Sequence, residues 1–107
     1  MKVRIDFSII TADGEAIGNV EGVLDCVVLP MVGDTLCFMS APNGADIPPG
    51  HEFGGHLKVT DRVISPNLEG GGVTIMLGDM VAESKMQAMA LANYFERDYG
   101  LFANIYD

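Results

Sequence analysis

Tryptophan is missing from this 107-residue chain, cysteine occurs twice and basic residues number only six. Each scarcity excludes something. Two cysteines, Cys26 and Cys37, are too few for a secreted scaffold built on disulfides. Six Lys and Arg against 15 Asp and Glu leave a net charge of −9. That balance argues against nucleic acid phosphates or an anionic membrane surface as a direct partner, since either needs a basic patch. No apolar run approaches the length of a membrane span. The start, Met1-Lys2-Val3-Arg4-Ile5-Asp6-Phe7, alternates charge with apolar character where a signal peptide needs an unbroken apolar stretch. Free thiols without an export signal point to the cytoplasm.

Apolar residues nevertheless make up 49% of the chain, and the mean hydropathy is +0.27. That is enough apolar surface to offset the ordering entropy of a single domain, residues 1–107. Val3, Ile5, Phe7 and Ile9 alternate with polar neighbours, the period of a half-buried strand. It ends at Asp13-Gly14, a pair suited to a turn. Residues 15–22 carry Gly18, Asn19 and Gly22 and read as a short irregular strand or loop. Val23 to Leu29 is nearly continuous apolar, which suits a strand covered on both faces. Pro30 to Asp34 breaks it. A hairpin centred between Met31 and Val32 would set Cys26 opposite Cys37.

Residues 40–55 hold three prolines and four glycines, the composition of a long functional or mobile loop. His56 to Ile64 reads as a strand with Leu57, Val59 and Val63 on one face. Asp61 falls on that apolar face and predicts either a bulge or a local hydrogen-bond partner. Val73 to Val81 reads as one further strand. The helix signal runs from Lys85 to Tyr99. Ser84 and Gln87 have capping-box spacing, Ala88, Leu91, Ala92, Phe95 and Tyr99 share a face, and Gly100 stands at the C-cap. Leu101 to Tyr106 reads as a short extended tail or an edge strand. The expected fold class is α+β, mainly β: a small antiparallel barrel or strongly twisted sheet of about five strands with one C-terminal helix.

Chemistry-bearing motifs are sparse. In His51-Glu52-Phe53-Gly54-Gly55-His56 the histidines are five apart with two glycines between them, so they cannot share a helical face as a zinc protease requires. A loop metal site from His51, His56, Asp46 and Glu52 is the sharp reading; polar loop residues at a strand entrance are the ordinary one. Cys26 and Cys37 lack redox spacing and read as small apolar core residues. Serines stand only at 8, 40, 65 and 84, none within Gly-x-Ser-x-Gly. Glu69-Gly70-Gly71-Gly72 lacks the Lys-Ser/Thr of a phosphate loop. No catalytic residue and no cofactor is implied.

The acidic excess is spread along the chain, net −4, −2 and −3 over residues 1–36, 37–72 and 73–107. It reads either as a solvated surface or as carboxylates offered to a basic partner. Seven methionines are many for this length. Met76 stands on the strand face opposite Ile75 and Leu77, while Met86 and Met89 flank the helix's apolar stripe. With Phe53, these are the candidate partner-binding residues, because adaptable thioethers on a second apolar face suit a contact between chains. The function expected is therefore a small cytoplasmic protein-interaction or assembly module, self-associating as a homodimer. Two alternatives remain open: an acidic decoy or inhibitor of a nucleic-acid-binding protein, and a small enzyme or metal protein using the 46–56 loop.

Overall fold

The computed structural model describes residues 1–48, 53–66 and 72–106. Its first unit is a hairpin of β1 (Lys2–Thr11) and β2 (Ala16–Asp25), closed by Thr11 N–H to the Glu15 carbonyl at 2.9 Å. Val3, Ile5, Phe7 and Ile9 are buried on one face of β1, as their alternation requires. The remaining strands are β3 (Thr35–Cys37), β4 (His56–Ile64), β5 (Val73–Leu77), β6 (Met80–Ala82) and β7 (Phe102–Ile105). They join in the order β3-β4-β5-β1-β2-β7, with β6 pairing β1 beyond the end of β5.

The fold is thus α+β and mainly sheet, but it departs from the expected five-stranded antiparallel barrel. Among the described residues there are seven strands, β5 and β6 run parallel to β1, and the sheet is not closed. The parallel pairing is set earlier in the chain: β5, the antiparallel partner of β4, is laid beside β1 after a crossover from β2, not by a hairpin with β1. α1 (Lys85–Tyr99) carries the chain from β6, on one side of β1, to β7, on the far side of β2. A crossover of that length returns the chain to the sheet without a hairpin.

Local departures have equally local causes. β2 continues as a strand past Gly18 and Gly22, irregular where its register against β1 shifts between Ala16 and Gly18, because glycine there lets a second backbone approach. A methyl at Gly18 would lie 2.5 Å from the Asn104 carbonyl oxygen of β7. The long ladder with β1 takes up only the first part of the Val23–Leu29 run. Residues beyond Asp25 leave the sheet, Val27 is fully exposed, and Cys37 pairs with His56 and not with Cys26. A bulge does occur between Val59 and Asp61, and it reverses the alternation of β4, turning Val63 outward from the face that buries Leu57 and Val59. The expected strand from Val73 to Val81 is interrupted after Leu77. Between the pairs Asp6↔Met76 and Ile9↔Met80, the β5–β6 side holds one residue more than β1.

α1 begins and ends where its caps place it. The Gln87 N–H donates to Ser84 Oγ at 3.1 Å, while Gln87 Oε1 accepts from Glu83 N–H, one residue before the cap. Gly100 closes the C-terminus in the left-handed conformation. Ala88, Leu91, Ala92 and Phe95 pack onto the β1–β2 core with Phe7, Val20 and Ile75.

Gly18→Ala is expected to destabilise the fold by about 1–3 kcal/mol, since backbone and not a flexible side chain must give way. Gly78→Ala, whose added carbon would find its nearest neighbours at 3.8 Å, is the near-neutral control. Urea midpoints of the two variants check the contrast.

Candidate functional site

An aromatic cluster fastens the helix to the segment that follows β3. Phe95 meets Phe7 and Phe38 edge-on, each at 5.2 Å between centroids, and Tyr99 meets Phe38 at 5.3 Å. Such pairs add about 0.5–1.5 kcal/mol each beyond their buried area. Two phenols then hold the backbone. The buried Tyr94 hydroxyl donates to the Phe38 carbonyl at 2.6 Å, and Tyr99 donates to the Ser40 carbonyl at 2.9 Å. Asn43 Nδ2 donates to Asp98 Oδ1 at 3.1 Å, and Arg97, then Asn43, hold that carboxyl below its usual range. The first part of the 40–55 loop is therefore a docked turn. Ala41 N–H bonds the Ala45 carbonyl at 2.7 Å, and Ile47 N–H bonds the Met39 carbonyl at 2.8 Å.

Beside this anchor lies a groove of about 530 Å³. One wall is Val23–Cys26, at the end of β2. The other runs from Leu36 to Phe38 and on through Ser40–Pro42, with Tyr99 between them. Both thiols line it, although Cys26 and Cys37 are not paired across a hairpin. Cys26 is half-buried, and burial pushes its thiol up; Cys37 is exposed. A smaller concavity continues along the same two chain segments between Cys26–Val28 and Asp34–Leu36. β3 and β2 stand far apart in the strand order, so their sharing one groove means that the sheet curls until its edge approaches the end of β2.

The residues singled out from sequence are dispersed. Met76 is half-buried on the sheet face away from the helix, opposite Asp61 and Asp6. Met86 and Met89 are exposed on α1, Met86 at 82%. Phe53 packs against the core, its ring 6.2 Å from that of Phe95. These four do not form one surface. Of the metal candidates, His51 and Glu52 lie outside the described residues. Asp46 accepts from Ser40 Oγ at 3.1 Å, and His56 Nδ1 lies 3.1 Å from the Gly54 carbonyl oxygen. Among the described residues no three His, Cys, Asp or Glu side chains converge on a metal position, and no helix is long and apolar enough to cross a membrane. The Glu69–Gly72 run lies outside the described residues up to Gly72 itself.

Sequence reasoning missed the anchor. Tyr94 falls off the periodic stripe, and nothing in its spacing shows that a carbonyl 56 residues away needs a donor. Comparison with protein-family models, with curated proteins and with solved structures returns no match.

Tyr94→Phe strands the Phe38 carbonyl in a buried setting and is expected to cost about 1–3 kcal/mol, with Tyr99→Phe, at a wetter site, costing less. Burial is the main cause that raises both phenols above their usual 10. A raised phenol stabilises the fold fully below the unfolded value, and that contribution is lost as pH rises past it. Urea unfolding between neutral pH and pH above 10 should therefore show stability falling, and falling less steeply in Tyr94→Phe.

Proposed function

We propose that this chain is a small non-catalytic protein-interaction or assembly module that self-associates as a homodimer. The observation that supports this reading best is the loop after β2. Val27 is fully exposed, Val28, Met31 and Val32 are each more than half exposed, and the four crowd into six consecutive residues. Single exposed apolar residues need no explanation, but a cluster on a domain this small is costly to leave in water. Asp34 holds the loop in shape, accepting from Met31 N–H at 2.8 Å while its own N–H reaches the Met31 carbonyl at 2.9 Å. A shaped apolar loop presents the same surface to each partner and loses little entropy on contact. Met86 and Met89 on α1 supply a second, more adaptable apolar area.

Reduced Cys26 and Cys37 accord with a cytoplasmic setting for such a module. Light scattering after size-exclusion chromatography at high micromolar concentration tests the reading. The expected mass is twice 11.4 kDa, falling to the single-chain mass when Val27→Ser and Val28→Ser are combined. A single-chain mass throughout would contradict self-association.

A further inference from the structure

β7 is the last strand of the sheet, and its side away from β2 has no ladder partner among the described residues. The alternation along the ladder shows which backbone groups lie there. Cys26 N–H bonds the Met1 carbonyl, so the even-numbered residues of β2 turn toward β1 and the odd-numbered ones toward β7. Asn19 and Glu21 thus face Asn104 and Phe102, and Tyr106 N–H extends the series to the Ile17 carbonyl at 2.7 Å. Ala103 and Ile105 turn the other way, onto the free edge. There the Ala103 N–H meets the exposed carboxylate of Glu96, at 3.3 Å.

Open edges are usually blunted by charge, proline or a bulge. From Tyr99 to Tyr106 the chain has no charged side chain and no proline, and the register of β7 on β2 runs without a shift. The edge also matches itself reversed. In an antiparallel pair only residues that both turn their groups outward exchange bonds, so a second β7 must set odd-numbered residues opposite odd-numbered ones. Placing Ala103 opposite Ile105 of the second copy engages both outward residues in each chain and puts the two-fold axis at Asn104. Phe102 then stands opposite the second copy's Tyr106, Asn104 opposite its own equivalent, and Tyr106 opposite Phe102. These three side chains share one face and are exposed, Phe102 at 61% and Tyr106 at 44%. They occupy the positions where cross-strand side chains come closest, and aromatic pairs are favourable there.

We propose that the β7 edges of two copies of this chain pair antiparallel about an axis at Asn104, joining their sheets into one. The occupant is a second copy because the order of residues along the edge is complementary to itself. An uncharged strip is also where two chains that each carry −9 can meet. The added strand lies beside a concavity of about 430 Å³ between α1 and β7, lined by Met89, Asn93, Glu96, Ala103 and Ile105 among others. The proposal rests on the self-association reading above and adds a second contact to it. That contact is separate from the Val27–Val32 loop, since β7 pairs with Gly18–Glu21 and the loop begins past Asp25. A strand of four residues buries much less than the roughly 1,200 Å² of a stable interface. Glu96 must also release the Ala103 N–H first. The contact therefore links loop-joined dimers at millimolar, not high micromolar, concentration.

The test uses the ¹⁵N-labelled full chain carrying Val27→Ser and Val28→Ser, which removes the loop contact, diluted from about 2 mM to about 0.05 mM. As concentration rises, the amides of Ala103 and Ile105 should shift and exchange more slowly, and diffusion should slow toward that of a pair. Adding Ala103→Pro removes an N–H that the β2 ladder does not use and sets a ring on the free edge. It should abolish the response while the Phe102 and Asn104 amides stay protected, which shows that β7 is still in place. Glu96→Ala, by freeing the Ala103 N–H, should tighten the contact at least about threefold. Phe102→Ser combined with Tyr106→Ser should weaken it at least about fivefold. No response at Ala103 and Ile105, or one that survives Ala103→Pro, overturns the β7 contact and leaves self-association through the loop intact. If the serine variant is still a dimer at high micromolar concentration and Ala103→Pro dissociates it, the β7 contact stands and the loop contact falls.

Discussion

A single buried hydrogen bond, from the Tyr94 hydroxyl to the Phe38 carbonyl, determines where one edge of the sheet ends up. β3 has only three residues and one paired neighbour, too little to hold a position by itself. Phe38, directly after it, is fixed from three directions: by its N–H to Gly55, by its carbonyl to Tyr94, and by its ring against Phe95 and Tyr99. The helix thereby acts as a strut for a strand with which it shares no sequence proximity. Without the strut, β3 and the end of β2 would be free to meet, and the groove that now separates them would have nothing to keep it open.

The helix depends in turn on how closely β7 can approach β2. Gly18 provides that approach, and the Gly100 cap turns the chain from α1 into β7. Leu101, buried just past the cap, lies against Gly22. Strand, cap and helix therefore form one unit across β2, and beyond Glu21 that side of β2 has no ladder partner among the described residues, while its other side stays paired with β1. The same constraint that packs the core also exposes Val23 and Asp25. Stability and the open β7 side of β2 have a common origin here.

Much of this was legible in the order of the residues. The alternation of Val3 to Ile9, the capping spacing of Ser84 and Gln87, the misplaced Asp61 and the final edge strand are local signals, and each corresponds to what the fold contains. What could not be read was pairing between distant segments. Gly18 and Gly22 looked like breaks in regular structure because the backbone they admit is more than 75 residues away. The apolar run at Val23–Leu29 looked like a buried strand, since composition does not reveal that a hairpin ladder ends at Asp25. The groove escaped notice for the same reason: its walls are strand edges, made of backbone groups that every residue carries. Cys26 and Cys37 were foreseen as neighbours and do line one groove, but through curling of the sheet and not through a shared hairpin.

Native-state hydrogen exchange tests most directly whether the strut carries this arrangement. The account predicts that the amides of Phe38, Ala41 and Ile47 open together with those of Leu91 and Phe95 in α1, at free energies within about 1 kcal/mol of one another. Exchange of the Phe38–Ile47 amides through a separate opening several kcal/mol easier, with the helix still protected, would contradict it.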